Sequence, residues 1–175
     1  MTGVQTCALP IFRELLLRFT LDPVVEITTL LAAHEANPSA RIAQRHLASR
    51  LTTMVHGAEE ASRADEVAET LFGLPGGGAR DPRSLNPATL AILAAELEGG
   101  VVPQAADATL VDAVIAAGLA TSKGEARRLI DQGGINVNGS PATDAAAAIA
   151  SFAPLADGSL LMRKGRREHR ILRAQ

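Results

Sequence analysis

Lysine and arginine at helical spacing are the side chains of this sequence best suited to binding chemistry. Lys123 and Arg127 are four positions apart and so share the exposed side of a predicted helix, with Arg128 at its border. Cations of this kind bind phosphate oxygens through charge-assisted hydrogen bonds. No nucleophile with an adjacent base accompanies them, so the segment predicts a binding surface and not a catalytic site.

A second basic cluster lies near the end of the sequence, where Arg163-Lys164-Gly165-Arg166-Arg167 separates two apolar runs. Apolar runs on both sides of a turn that contains glycine favour a β-hairpin. Residues 160–173 hold six Lys or Arg and one Glu. A single basic run usually marks only a solvated face, but two such clusters on one small fold favour RNA binding.

Local signals predict the elements that hold these cations. Ser122 is a favourable N-cap, and Glu125 three residues later completes a capping box. Gly133-Gly134 ends the helix, because glycine adopts the left-handed conformation that closes helices. Asn138-Gly139 then predicts a tight turn.

The same region contains a further helix and a short strand. The helix carries Leu110, Val114 and Ile115 on one face and ends at Gly118. Residues 135–138 alternate apolar and Asn side chains, which predicts a half-buried strand, whereas residues 145–150 fit a helix or a weak strand. The expected core comprises Leu110, Val114, Leu119, Ala126, Leu129, Ile130, Val137, Leu160, Leu161 and Ile171.

The net charge of −2 conceals an asymmetry along the sequence. Residues 1–106 carry 8 Lys or Arg against 12 Asp or Glu, whereas residues 107–175 carry 9 against 7. A phosphate backbone responds to the local field of the C-terminal region and not to the mean charge. The overall negative charge therefore does not argue against nucleic-acid binding.

Aromatic content limits how a nucleic acid could be recognised. The chain has four Phe and no Trp or Tyr, so it offers few rings on which single-stranded bases could stack. We therefore expect contacts with phosphates, 2′-hydroxyls and RNA shape. Asn136 or Asn138 could supply base selectivity, but plain turn chemistry explains both residues equally well.

Composition argues against several other classes of protein. The one cysteine, Cys7, can form no disulfide within the chain, and the four His are too scattered for a metal site. His46 is expected on a helix surface. No apolar run is long enough to cross a membrane, so the sequence predicts a cytoplasmic protein without metal.

Residues 122–139 resemble a known RNA-binding domain. Ser-Lys at 122–123, Glu-Ala-Arg-Arg-Leu-Ile at 125–130, Gly-Gly at 133–134 and Val-Asn-Gly at 137–139 are similar to the S-four-type domain, or alpha-L motif, first described in a ribosomal small-subunit protein. The resemblance implies two helices packed on a small β-sheet. Together with the basic clusters, it implies RNA contacts at Ser122, Lys123, Glu125, Arg127, Arg128, Gln132, Asn136, Asn138, Arg163, Lys164, Arg166 and Arg167.

The upstream residues indicate which kind of host carries this domain. Residues 38–57 are predicted to form one amphipathic helix, with Ala43, Leu47, Leu51 and Met54 on its apolar face. This helix and a predicted helix from Ala61 to Phe72 are similar to a segment of bacterial tyrosyl-tRNA synthetases. Weaker RNA contacts are implied here for Arg41, Arg45 and Arg50.

That family attaches tyrosine to its tRNA with ATP, using a Rossmann-type domain with His-Ile-Gly-His-like and Lys-Met-Ser-Lys-Ser-like motifs. Neither motif occurs in this sequence, and Gly76-Gly77-Gly78 is typical of a linker and not of a phosphate loop. The resemblance therefore implies the C-terminal, tRNA-binding part of the enzyme. This part would bind the tRNA for tyrosine at its anticodon arm, without a cofactor of its own, because ATP belongs to the full-length family.

We accordingly expect no ligase activity from this chain alone. The family is homodimeric mainly through its catalytic domain, so this chain is expected to be monomeric, with a sticky apolar surface around residues 12–17. One alternative is a free-standing S-four-type protein that acts on ribosomal RNA. Another is a helical module that binds protein, for which neutralising Arg127 and Arg128 would change nothing.

The expected fold class is α+β, a small helical domain followed by the S-four-type domain. Residues 1–11 are interpreted as an unrelated leader, with a natural alternative start as the other possibility. Residues 12–73 are predicted to be the helical region, and residues 74–107 a linker with a short helix at 89–98. Residues 108–175 are predicted to be the RNA-binding domain.

Overall fold

A computed structural model describes residues 8–74, 78–105 and 107–174. Within these ranges the chain forms seven α-helices and five β-strands, in agreement with the predicted α+β class. The described residues divide into two compact units, one of residues 8–65 and one of residues 66–74 and 78–174. The second unit is larger than the predicted RNA-binding domain, because it includes most of the predicted linker.

The first unit is helical. It contains α1 (Ala8–Phe19), α2 (Val24–Ala36), α3 (Ile42–His56) and the beginning of α4 (Ala58–Phe72). The first three helices contact one another, and Leu16, Ile27 and Ala43 are buried, one on each helix. The predicted leader falls mostly outside the described residues, but α1 already begins at Ala8, so one helix crosses its boundary at residue 11.

The helix predicted over residues 38–57 is shorter than expected. Pro38–Ala40 forms a 3-10 turn, Arg41 has a left-handed backbone (φ +53°), and α3 begins only at Ile42. Met54, predicted on the apolar face, is 60% exposed. The surface expected to be sticky is partly internal, because Leu16 is fully buried.

The second unit is built around a five-stranded sheet. Its strands are β1 (Gly99–Val101), β2 (Ile135–Val137), β3 (Ser140–Pro141), β4 (Leu160–Lys164) and β5 (Glu168–Arg173). The spatial order is β1-β5-β4-β2-β3, with β1 parallel to β5 and every other neighbouring pair antiparallel. The basic hairpin predicted near the end of the sequence is confirmed by the antiparallel pairing of β4 and β5, and β4 is the central strand of the sheet.

Helices cover both faces of this sheet. On one face, α6 (Leu110–Ala116) and α7 (Lys123–Asp131) share a core with Leu160 and Met162 of β4. On the other face, Leu161 packs with leucines of α5 (Pro87–Glu96). Neighbouring residues of a strand point to opposite faces, so the adjacent Leu160 and Leu161 pack in separate cores. The sequence predicted the first layer but not the second.

Two stretches predicted as linker are ordered parts of the sheet unit. In α5, Leu90 and Leu93 are buried, so the short helix of the predicted linker belongs to the core. Residues 99–101 also fall in the predicted linker, but Gly99–Val101 forms an edge strand beside β5. A three-residue strand that begins with two glycines is too short to show a hydrophobic periodicity in the sequence.

Three further local predictions concern this unit, and one of them is confirmed in full. Asn138 (φ +47°) and Gly139 (φ +83°) form the tight turn between β2 and β3, as predicted. Strand β2 is buried along its whole length and not half-buried, because the sheet is covered on both faces. Residues 145–150 form neither a helix nor a regular strand: Ala148 makes an isolated bridge with Thr109, and a 3-10 turn follows from Ile149.

Candidate nucleic-acid interface

The N-terminus of α7 is held by hydrogen bonds of its own first residues. Ser122 Oγ accepts a bond of 3.2 Å from the backbone N–H of Glu125. The Glu125 carboxylate accepts from the backbone N–H and the hydroxyl of Thr121, both at 2.9 Å. These bonds from Thr121, chiefly the backbone one, lower the pKa of Glu125. Ser122 is therefore the N-cap, as predicted. The capping box predicted with Glu125 is wrong, because the carboxylate accepts from Thr121 and not from the backbone N–H of Ser122.

Asp112, which was not among the predicted site residues, links the two helices. It closes the capping box of α6 by accepting from the backbone N–H (3.0 Å) and the hydroxyl (2.8 Å) of Thr109, and it pairs with Lys123 Nζ at 3.2 Å. The bonds from Thr109, followed by Lys123, lower the pKa of Asp112 to about 2. The Thr-x-x-Asp spacing of a capping box was the available signal.

The exposed side of α7 presents two uncommitted arginines. Arg127 and Arg128 are exposed, and within the described part of the chain neither side chain forms an ion pair or hydrogen bond. Gln132, at the C-cap, is also exposed. Guanidinium groups without an internal partner are free to make bidentate bonds with phosphate.

Backbone contacts bring the second basic cluster beside α7. Gly133, with φ of +67°, ends the helix, and the N–H of Gly165 donates to the carbonyl of Gly134 at 2.9 Å. Strand pairing places Lys164 opposite Ile135. The turn of the basic hairpin therefore lies against the end of α7, and the two clusters predicted separately form one surface.

Lys164 fixes this arrangement and is itself half-buried. Its Nζ donates to the carbonyl of Leu119 at 2.9 Å, in the connection between α6 and α7. Arg166 and Arg167, beyond it in the turn, are exposed. We use the name basic edge for the surface formed by Arg127, Arg128, Lys164, Arg166 and Arg167.

Arg163 lies on the other face of the hairpin from Lys164, since the two residues are adjacent in β4. It is half-buried, and its Nε atom is buried without a hydrogen-bond partner among the described residues. Its strand neighbours are Asn136 on β2 and His169 on β5. Asn136 is 9% exposed. This polar row faces away from α6 and α7.

Asn138 is internal. Its Nδ2 donates to the carbonyl of Ala153 at 2.7 Å, and its Oδ1 accepts from the N–H of Leu161 at 2.8 Å. The residue is 6% exposed. Of the two roles considered for Asn138, these bonds support turn chemistry, because both ends of the amide are already used inside the fold.

The arginines predicted as weaker contacts lie in the helical unit. Arg41 is exposed, and Arg45 is half-buried. Arg50 forms an ion pair with Asp22, whose side chain is 4% exposed. His46 bonds to the same carboxylate at 2.6 Å and so is a partner of Asp22, not a free surface residue. The bond from His46, followed by Arg50, outweighs burial and lowers the pKa of Asp22.

Other kinds of site find no support in the described ranges. They contain no group of three or more His, Cys, Asp or Glu residues that could hold a metal ion. None of their helices combines the length and the apolar character needed to span a bilayer.

Comparison with known proteins finds a family match within the second unit. Residues 97–172, which include α6, α7 and all of the sheet except the last residue of β5, match the family model described as "Tyrosine--tRNA ligase SYY-like C-terminal domain". The chain belongs to the tyrosine–tRNA ligase family. The matched segment begins just before β1, so the family domain includes the strand that the sequence analysis had interpreted as a linker.

Individual members of the tyrosine–tRNA ligase family are similar over nearly the whole chain. The ligase of Opitutus terrae is 39% identical over 161 residues, covering 91% of this chain and 37% of the relative. The ligase of Anaeromyxobacter dehalogenans is 34% identical over 164 residues (93% and 38%), and that of Roseiflexus castenholzii is 32% identical over 159 residues (89% and 36%). The chain thus spans a little over a third of the length of these relatives.

Proposed function

We propose that this chain is the tRNA-binding C-terminal part of a tyrosine–tRNA ligase, which holds the tRNA for tyrosine in the cytoplasm while the whole protein attaches tyrosine with ATP. The basic edge is the observation that carries the proposal. It joins four exposed arginines of α7 and the hairpin turn, and it lies in the segment that matches the ligase C-terminal domain.

The contribution of this region is binding and positioning. Arginine forks bind phosphate oxygens in a fixed geometry, and such contacts set the register of a protein on RNA without reading its sequence. Lys164 holds the connection before α7 through Leu119, so the hairpin and the helix present their charges as one rigid surface. A backbone that is held in place before binding lowers the entropic cost of association.

A titration with tRNA at two salt concentrations tests the proposal. The chain is expected to bind the tRNA for tyrosine, and to bind it more tightly than a non-cognate tRNA. The double substitution Arg127→Ala plus Arg128→Ala should weaken binding and flatten its salt dependence, since each lost phosphate contact removes roughly 0.7–0.9 from the log–log slope.

The matched control is Arg13→Ala plus Arg18→Ala, which removes the same charge from exposed positions on α1. It should leave affinity and slope nearly unchanged. An unchanged slope in the α7 variant would contradict phosphate contact at those positions. Equal, salt-sensitive binding of both tRNAs would reduce the proposal to a general RNA-binding surface.

A further inference from the structure

A groove in the sheet unit adjoins the basic edge, with which it shares Arg167. It has a volume of about 390 Å³ and is lined by Leu71 and Phe72 at the end of α4, by Leu97 after α5, and by the first residues of β5. This volume falls in the range of roughly 300–1,000 Å³ that is usual for small-molecule sites.

The groove contains an aromatic ring that the fold does not bury. Phe72 is 70% exposed. Its ring meets the imidazole of His169 edge to face, with centroids 6.1 Å apart and planes at 83°. The contact with His169 supports one side of the Phe72 ring and leaves most of the ring exposed to solvent. An exposed ring beside apolar side chains is a surface on which a flat heterocycle can stack.

His169 forms an uncharged wall of the groove. It is 6% exposed, and burial, assisted by the nearby charge of Arg163, lowers its pKa against the opposing carbonyls of Arg167 and Leu71. The ring is therefore mainly neutral at neutral pH. Next to Phe72 and the two leucines, a neutral imidazole gives the groove an uncharged wall, which suits a nucleobase better than an ion.

Cations stand at the rim of the same groove. Arg170 is occupied by Glu98 at 3.7 Å and Glu168 at 3.5 Å. Arg167 is exposed, and its guanidinium makes no ion pair with any residue that the structure describes. Arg167 also belongs to the basic edge, so an RNA strand on that edge would pass the mouth of the groove.

We propose that the groove takes one unpaired nucleotide of the bound RNA, with its base stacked on Phe72 and its phosphate at Arg167. The inference rests on the proposed function, because it takes its ligand from the RNA held at the basic edge. It adds recognition of an unpaired base by stacking, which the low aromatic content of the sequence argued against.

The test compares two RNAs that share one stem: a hairpin with a loop that carries 2-aminopurine at an unpaired position, and a blunt duplex. The chain contains no Trp or Tyr, so the probe can be excited selectively. In the wild type, stacking of the probe on Phe72 should change its fluorescence when the hairpin binds. Phe72→Ala is expected to weaken binding of the hairpin on the order of tenfold, to abolish this fluorescence change, and to leave binding of the duplex unchanged.

Two further variants separate stacking from a fault in folding. Phe72→Trp should keep the affinity of the wild type, and its indole fluorescence should be quenched by the loop hairpin but not by the duplex. Phe19→Ala removes another exposed ring, in the helical unit, and should bind both RNAs as the wild type does.

The outcomes distinguish this inference from the proposed function. If Phe72→Ala binds both RNAs like the wild type, while Arg127→Ala plus Arg128→Ala loses both, the groove proposal is overturned and the proposed function stands. If the wild type binds neither RNA, nor tRNA, both fail. If Phe72→Ala changes the sedimentation of the RNA-free protein instead, the groove contacts a second copy of the chain, and the nucleotide proposal is again overturned.

Discussion

Asn138 shows how a single side chain ties a turn to the rest of the sheet. Its left-handed backbone is required by the turn, and its amide bonds to residues 15 and 23 positions further along the chain. The Asn-Gly pair predicts the turn, because that signal is local. It could not identify the partners, because nothing near Asn138 in the sequence specifies Ala153 or Leu161.

Asn138→Ala should lower the free energy of unfolding by about 1–3 kcal/mol, because it leaves the N–H of Leu161 and the carbonyl of Ala153 without partners. Urea unfolding of the variant measures this loss. Asn138→Gly is the matched control, since glycine keeps the positive φ and removes only the side-chain bonds. A glycine variant as stable as the wild type would contradict the role given to the amide.

Asp112 provides a pH-dependent contribution at the residue scale. Its pKa is lowered from 3.8 to about 2 in the folded chain, chiefly by Thr109. A lowered folded-state pKa means that Asp112 stabilises the fold above pH 3.8 and that this contribution is lost as pH falls toward about 2. Asp112→Asn should therefore be less stable than the wild type near neutral pH and about equally stable near pH 2. A stability difference that stays constant over this range would refute the prediction.

At the scale of a secondary-structure element, strand β1 depends on the close approach of its two glycines to the backbones of β5 and α6. An added Cβ at Gly99 would lie 1.7 Å from the carbonyl oxygen of Ile171, and one at Gly100 would lie 2.2 Å from that of Ala116. Both obstacles are backbone atoms, which cannot move without shifting β5 or α6. The two glycines thus explain why a stretch with the composition of a linker is an ordered strand.

Gly100→Ala is expected to cost on the order of 1–3 kcal/mol, because the methyl group overpacks the contact between β1 and α6. Gly124→Ala is its counterpart, since no atom lies within 4 Å of the new Cβ. That substitution in α7 should raise stability by up to about 1 kcal/mol through helix propensity. Thermal unfolding of both variants checks the pair, and similar shifts in the same direction would argue against the packing explanation.

The elements of α6, α7 and the hairpin were predictable because their signals are short-range. Ser122, the glycines after α7 and the basic hairpin turn each specify their own structure. The second core was not predictable in this way, since Leu161 is one residue from Leu160 and its partners come from α5. Pairing of β1 with β5 likewise joins residues that no local pattern connects.

At the scale of the whole molecule, the charge of the sheet unit differs from that of the predicted RNA-binding domain, because the unit also includes most of the predicted linker. Residues 66–74 and 78–174 carry 11 Lys or Arg and 12 Asp or Glu, so the sheet unit as a whole is not basic. The basic edge gathers five Lys or Arg side chains, so the positive charge that could bind RNA is a local feature of this unit. Screening acts over about 10 Å at 0.1 M salt, so binding at such an edge should decline steeply as salt rises.

Leu93→Ala tests whether α5 belongs to the same cooperative unit as the sheet. Leu93 is fully buried in the second core, and removing its side chain should cost about 2–5 kcal/mol. Leu74→Ala, at a position 38% exposed, should cost much less. Hydrogen exchange of β4 and β5 amides provides the readout. Unchanged protection in Leu93→Ala would show that α5 unfolds independently.

The pairing of β1 with β5 also has a consequence for synthesis on the ribosome. Gly99 meets Ile171, so almost the entire domain separates the two partners along the chain. During translation, β1 leaves the exit tunnel long before the strand that covers it exists. Until β5 emerges, the nascent chain exposes both an unpaired strand edge and the leucines of α5, which are features that trigger aggregation and attract chaperones. The sheet can therefore be completed only once β5 has emerged from the ribosome, however early β1 is made.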